Sequence, residues 1–353
     1  MVMRVGVLTG GGDGPGLNAV IRAVTKSLIR HCNAQVVGIE EGFAGLMDGR
    51  VRQLDWRAVS GLIHLGGTVL GTSNRRNPLL EGEEGAQRVI ESARALGLDA
   101  VVAVGGDGTM AIAQALWQRG LAMVGVPKTI DNDIVGCERS FGFDTAVAIA
   151  TEALERLQTT GQAHGRVMLL ETMGRDAGWI ALESGIAAAA DVILLPEIPY
   201  DIEAVAAVCR ERESRQRFTV ISVAEGARAR GGDVVVQERI EGRDEPVRLG
   251  GVAHVLAAQL QSRISSEVRA TVLGHVQRGG APTAFDRVLA TRYGNEVAQL
   301  VCRGEFGRMV TLQGGELTSV ALDAVAQGRR SIPPEHPLLD CARQIGVSLG
   351  EPA

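Results

Sequence analysis

Aromatic side chains make up only 3% of this chain, and positive charge is not in excess: 36 Lys and Arg stand against 41 Asp and Glu, a formal charge of −5. A nucleic-acid binder needs a basic field and stacking platforms, so that class is set aside. No uncharged apolar stretch reaches the ~18 residues of a membrane span. The alanine-rich segment from Gly185 to Leu195 is short and holds Asp191. The five cysteines (Cys32, Cys137, Cys209, Cys302 and Cys341) are scattered, odd in number and contain no C-x-x-C pair. That pattern argues against a disulfide framework or structural zinc and for reduced thiols in a cytoplasmic protein. The apolar run Val5–Leu8 follows Met1 without a basic n-region, so no signal peptide is expected. Internal repeats and low-complexity linkers are also missing.

Glycine, in contrast, is abundant. The 46 glycines are nearly twice the ~7% of average usage, which calls for many sharp turns or close backbone approaches to a ligand. At 353 residues and 45% apolar content, the chain has length for about two domains with cores of their own. Short apolar runs recur: Met3–Leu8, Ala100–Val104, Ala122–Val126, Val167–Leu170, Asp191–Leu195, Phe218–Val223, Ala270–Leu273 and Met309–Leu312. Each leads into a Gly- or Pro-containing turn and reads as a buried strand. Between them lie helical patterns, as where Leu17, Val20, Ile21, Val24 and Leu28 share one face. This alternation predicts parallel sheets with helices on both faces, and ligand sites beyond the carboxyl ends of the strands. The Arg-rich stretch Arg228–Arg248 reads as an exposed loop or hairpin.

The turns themselves carry chemistry. TGGGDGPGLNAVIR offers backbone N–H groups at a helix N-terminus, a seat for phosphate. It is not a Walker A loop, since Leu17 stands where Lys is needed, and it lacks the third glycine of a dinucleotide turn. A tight turn without a ligand is the competing reading. GGDGT, Gly105 to Thr109, also opens a helix but contains a carboxylate. Asp107 would repel bare phosphate, so it is either a holder of Mg²⁺ or a helix N-cap. PKTIDND gathers Lys128, Thr129, Asp131 and Asp133. Two carboxylates beside a cation suit phosphoryl transfer to a hydroxyl, one as base and one supporting it; an Asx turn is the alternative. ETMGRDAG supplies Arg175, and RATVLGHVQRGG supplies Arg269, His275 and Arg278, a set suited to bidentate phosphate recognition. Arg75 and Arg76 in LGTSNRRNP are a further phosphate clamp or a solvated loop.

Taken together these segments resemble the 6-phosphofructokinase family. LTGGGDGPGLNAVIR, GGTVLGTSNRRNP, GGDGT, PKTIDND, HGRVMLLETMGRDAG, AEGA and RATVLGHVQRGG occur in that family's order over most of the chain. The resemblance implies an α/β protein of two Rossmann-like three-layer domains with mostly parallel sheets and an active site in the interdomain cleft. The expected division is 1–140 plus about 254–305 for the nucleotide, about 141–253 plus 306–330 for the sugar phosphate, and a C-terminal tail, 331–353. It also implies a homodimer or homotetramer and transfer from Mg-ATP to the 1-hydroxyl of fructose 6-phosphate in glycolysis.

By position, Asp131 matches the base that takes the sugar hydroxyl proton, with Thr129 and Asp133 as its neighbours and Arg175 on the transferring phosphoryl. Gly12, Gly105, Gly106, Gly108 and Thr109 match the nucleotide loops, and Asp107 the Mg²⁺ carboxylate. The loop LGTSNRRNP is one residue longer than usual, so either Arg75 or Arg76 matches the nucleotide-facing arginine. Met173 and Gly174 match residues lining the sugar, Glu225 an acceptor for its hydroxyls, and His275 and Arg278 ligands of the 6-phosphate. Arg166 and Arg269 match arginines that reach the sugar phosphate across a subunit interface.

Two positions bear on the donor. Gly108 matches ATP-using members, whereas Lys128 resembles pyrophosphate-using ones. Gly108 weighs more, because a missing side chain admits the larger donor. The alternatives are a pyrophosphate-dependent version, a kinase for another acceptor, since GGDGT also occurs in NAD and lipid kinases, and a non-catalytic sugar-phosphate sensor. Intact Asp107, Asp131 and Arg175 speak against the sensor. Arg22 is retained at the family's effector position, but Lys26 stands for an arginine and Gln158 for another basic residue, so weak or absent control by ADP or phosphoenolpyruvate is expected.

Overall fold

A computed structural model describes residues 2–73, 76–239, 247–326 and 328–352. It divides into two compact units, Met1–Thr145 with Arg278–Arg330, and Ala146–Gln277 with Ser331–Ala353. Relative to the expected division, 254–277 falls in the second unit and 306–330 in the first. Residues from 331 onward belong to the second unit rather than forming a separate tail. The backbone explains these assignments. Residues 308–321 extend the first sheet, while Ser348 bonds to Asp191 and Ile193 and Ile332 donates to Glu197.

The strands in chain order begin β1 (Arg4–Thr9), β2 (Gln35–Ile39), β3 (Val51–Leu54), β4 (Ala100–Gly105), β5 (Met123–Thr129) and β6 (Phe141–Gly142). Then follow β7 (Val167–Thr172), β8 (Val192–Leu194), β9 (Thr219–Ala224) and β10 (Val236–Arg239). The series ends with β11 (Val247–Leu249), β12 (Val268–Val272), β13 (Arg308–Gln313) and β14 (Glu316–Ala321). All eight apolar runs named above form strands. In the first unit the order is β14-β13-β5-β4-β1-β2-β3, with β6 beside β5. Only the end pairs β2–β3 and β13–β14 are antiparallel. The second unit has the all-parallel order β12-β7-β9-β8. Within the stretch Arg228–Arg248, β10 and β11 pair antiparallel.

One strand departs from the fully buried reading. β12 has only β7 as a neighbour, and most of its residues are part or fully exposed, including Val272 at 44%. An edge position wets a strand whatever its composition. The cysteine expectation is overturned for one pair, while Cys137, Cys209 and Cys341 are free. Cys32 and Cys302 form a disulfide, 270 residues apart in sequence with Cα atoms 5.8 Å apart. They sit in the last turns of the helices Leu17–Cys32 and Ala284–Arg303, which pack side by side. No spacing rule sees a pair that only folding brings together. No helix among the described residues is long and apolar enough to cross a membrane.

Those two helices support the first sheet from one face. Leu17, Val20, Ile21, Val24 and Leu28 are all fully buried, as the periodicity predicts. Gly294 on the second helix allows the close approach: a Cβ there would lie 2.6 Å from the Ala23 Cβ and 3.0 Å from the Val20 carbonyl oxygen. At an exposed helical site Gly→Ala stabilises by up to about 1 kcal/mol. Here Gly294→Ala should reverse that sign and cost about 1–3 kcal/mol through overpacking. Urea denaturation of the two proteins measures it, and a more stable variant would contradict this packing.

Candidate active site

Both glycine-rich helix starts lie where the strand order of the first sheet reverses. β1 leads on to β2 at one side while β4 pairs on the other, and in open parallel sheets the crevice beyond such a reversal receives ligands. The Gly10 N–H donates to the Val104 carbonyl at 2.8 Å, joining the two turns. Thr109, buried, packs against both: a Cβ on Gly10 or Gly105 would strike its side chain. The N-caps of these two helices, Gly16 and Gly106, provide no side-chain bond to the first amides. Asp201 and Thr283 do so for other helices. The first N–H groups here are free of side-chain caps, as they are at several other helices.

Asp107 stands one residue inside its helix, so it is not the N-cap. Its Oδ2 instead accepts from Arg329 Nε at 2.7 Å. Gly108 is exposed, and a Cβ there would meet nothing within 4 Å. Arg76 is held by Glu81 at 2.9 Å and by Asp48 at 3.0 Å. Arg75 lies outside the described residues.

β5 carries Lys128 and Thr129 into the loop that holds the two carboxylates. Lys128 is buried, and its Nζ donates to the Gly12 carbonyl. Burial first, and the nearby Arg278 charge second, lower its pKa to about 8. Arg278 donates to the Asp13 carbonyl at 3.0 Å and lies against Gly12. Thr129 Oγ1 accepts from the Asp131 N–H at 3.0 Å and donates to Asp133 Oδ1 at 3.1 Å. Asp131 is part exposed, yet its Oδ1 is shielded from solvent and has no hydrogen-bond partner. Burial pushes its pKa up, opposed by Arg278, Lys128 and Arg329. Asp133 is raised to about 7, first by burial and then by repulsion from Asp131 and Asp107.

Asn132, between the two, braces the loop over a longer span than an Asx turn. Asn132 takes φ 53°, and its Oδ1 accepts from the Ser140 N–H at 3.0 Å. Ser140 Oγ in turn donates to the Thr129 carbonyl at 2.8 Å. This buried polar brace shapes the loop so that neither aspartate serves its own turn.

In the second unit the loops after β7 and β12 adjoin one another, because those strands are neighbours. Met173, Gly174 and Arg175 follow β7. The Met173 N–H donates to buried Gln277 at 3.2 Å, and Arg175 lies 3.9 Å from Asp176. Gly226 must be glycine, because a Cβ would enter the Arg175 carbonyl. Glu225 precedes it, its N–H bonded to the Thr172 carbonyl at 2.9 Å. Arg166 and Arg269 both pair with Glu267, and His275 is exposed in the turn Gly274–Arg278. The first unit thus holds the Gly12 and GGDGT loops, Lys128, Thr129, Asp131, Asp133 and Arg278. The second holds Arg166, Met173, Gly174, Arg175, Glu225, Arg269 and His275.

Sequence reasoning missed Asn132, Glu267, Gln277, Arg329 and Arg330. Arg330 N donates to the Asp133 carbonyl at 2.7 Å, and its Nη1 to the Asn132 carbonyl at 3.0 Å. Two adjacent arginines some 200 residues after the loop they brace belong to no motif. The only available signal was a basic pair in an otherwise apolar and polar-neutral stretch.

With this geometry in view, the chain is compared with known proteins. A family model described as "Phosphofructokinase" matches residues 4–301. The chain is 46% identical over 362 residues to "ATP-dependent 6-phosphofructokinase 2" of Clostridium perfringens, covering 99% of each. Further relatives at 44–48% identity also bear ATP-dependent names. It is equally 46% identical over 349 residues to "Pyrophosphate--fructose 6-phosphate 1-phosphotransferase" of Streptomyces coelicolor, covering 99% of this chain and 100% of that protein. Among solved structures, Pichia pastoris phosphofructokinase in the T-state matches with a TM-score of 0.81 at 31% identity. That match covers 92% of this chain and 35% of that one, so this chain spans about a third of the yeast subunit.

The Asp133 shift has a measurable consequence. The unfolded chain releases this proton near 3.8, whereas the folded loop keeps it to about 7. Folding is therefore favoured below that window, and the advantage is lost as pH rises through it. The melting temperature of Asp133→Asn relative to the parent should increase between pH 5 and pH 8. A difference that stays flat or falls in thermal scans at the two pH values would contradict the assigned burial.

Proposed function

The chain belongs to the phosphofructokinase family, and from that premise we propose that it transfers the γ-phosphoryl group of Mg-ATP to the 1-hydroxyl of fructose 6-phosphate, giving fructose 1,6-bisphosphate and ADP. The observation that carries the mechanism is the shielded, unpartnered Oδ1 of Asp131. Such an atom is costly unless something supplies a proton to it. In this reading the sugar 1-hydroxyl does so, and Asp131 takes the proton as the oxygen attacks. Lys128, Arg278 and Arg329 favour the ionised carboxylate against the push of burial. Thr129 fixes the loop backbone at Asp131, and Asp133 orients Thr129.

Backbone amides around Gly12, Gly105, Gly106, Gly108 and Thr109 cradle the donor phosphates. Arg75 or Arg76, the latter paired with Glu81 and Asp48, serves the nucleotide. No three metal-ligating side chains converge among the described residues. The donor set therefore fits Mg²⁺ held by Asp107 and the donor's own phosphates rather than a protein cage. When bound, the ion neutralises charge on those phosphates. In the second unit Arg175 meets the transferring phosphoryl, Met173 and Gly174 the sugar, Glu225 its hydroxyls and His275 the 6-phosphate, a role that falls in the first unit to Arg278. Arg166 and Arg269 serve a neighbouring subunit of a homodimer or homotetramer. The exposed edge strand β12, which carries Arg269 and Val272, supports such an assembly. Dependence on ATP favours the cytoplasm.

ATP is favoured as donor because the space at Gly108 is open. Buried Lys128 beside Gly12 favours a second reading, in which pyrophosphate is the donor. An assay with fructose 6-phosphate, offering ATP and pyrophosphate side by side, decides between them. Turnover with pyrophosphate alone would overturn the first reading. Product formation with neither would leave a sensor. Asp131→Asn should lower kcat by about 10²–10⁴-fold while calorimetry still detects sugar-phosphate binding; near-full turnover would remove Asp131 from the base role. Gly108→Asp meets no steric barrier, so the variant should fold normally. It should still lose about 100-fold or more in kcat/KM for Mg-ATP through like-charge repulsion, which initial rates would test.

A further inference from the structure

Asp107 is already engaged by a cation. Arg329 Nε donates to its Oδ2 at 2.7 Å, with both side chains about one-third exposed (33% and 37%). The segment carrying Arg329 is tied to the base loop. Arg329 forms an isolated antiparallel bridge with Ile134, and Arg330 bonds the carbonyls of Asp133 and Asn132. The Arg329 charge also acts on Asp131 and Asp133. Arg329 thus pairs with one carboxylate while its charge is felt by two more, its backbone is anchored and its side chain has solvent to turn into.

We propose that Arg329 is an internal stand-in for the divalent ion: it holds Asp107 in the absence of donor and must turn away for the metal to be accepted. The inference rests on the reading of Asp107 as the metal carboxylate. A guanidinium and a divalent cation repel one another, so they cannot both sit closely on one carboxylate without weakening each other. Before the metal arrives, the arginine offsets repulsion among Asp107, Asp131 and Asp133. Its departure then couples metal arrival to the field at the base. Arg329 is a positioning residue in this scheme, acting through Asp107 and not on substrate.

The test compares binding of metal-free ADP, in chelator, with binding of Mn-ADP, by calorimetry on the full-length protein. The ratio of the two affinities isolates the contribution of the metal. Arg329→Gln should raise that ratio about three- to ten-fold by removing a competing charge-assisted pair. Arg329→Met, of similar bulk, should do the same, and Arg329→Lys should stay near the parent value. A merely structural role for Arg329 would weaken both ligands together and leave the ratio unmoved, which would overturn the proposal. A ratio that falls in Arg329→Gln and Arg329→Met would overturn it too, making Arg329 an aid to metal binding. Asp107→Asn should bring the ratio to about one. If Asp107→Asn keeps the parent ratio, the metal reading of Asp107 itself fails, and this proposal with it. That result is distinguishable from a failure confined to the arginine variants.

Discussion

Mutual neutralisation of charge in a confined space is the constraint on which the first unit depends. Burial pushes the pKa of both Asp131 and Asp133 upward. Lys128, Arg278 and Arg329 push the other way at Asp131. A base for a sugar hydroxyl needs such a stalemate: enough burial to leave an acceptor hungry, and enough positive charge to keep it ionised. Lys128 carries the matching strain, its pKa brought down to about 8 by the same burial.

The arrangement is built from backbone first. Parallel strands deliver two glycine turns to one reversal of strand order, and the absence of side-chain caps leaves the helix amides unspent. Charged side chains then arrive from β5, from the Gly274–Arg278 turn and from the residues just before 331. The second unit uses the same device with arginines in place of carboxylates. There the loops after β7 and β12 carry Arg175 and His275, the side chains proposed above to meet phosphate.

The sequence made much of this legible, for identifiable reasons. Parallel strands are short apolar runs, so all eight runs read from the pattern form strands although β2 escaped it, and helix Leu17–Cys32 announced its buried face by spacing. The candidate loops stood out because several such turns occur together, although each alone has a structural alternative. What stayed hidden is long-range. Arg329 reaches Asp107 across 222 positions, and Cys32 meets Cys302 only because two helices pack. β12 looked like a core strand because composition does not say whether a strand has one neighbour or two. The crossing points between units were misjudged for a similar reason: β13 and β14 join the first sheet by pairing with β5 and with each other, a fact of register rather than of local sequence.

The bond between Cys32 and Cys302 gives the molecule a topology that sequence order conceals. Both ends of the excursion from Ala146 to Gln277, the greater part of the second unit, lie between the bridged residues. That excursion is therefore a lobe of a covalent ring rather than a segment of an open line. A single cut within the lobe opens the ring without releasing a fragment: the two pieces remain one molecule until the bridge is reduced. Integrity judged by size under oxidising conditions is thus blind to nicks across 270 residues of the chain.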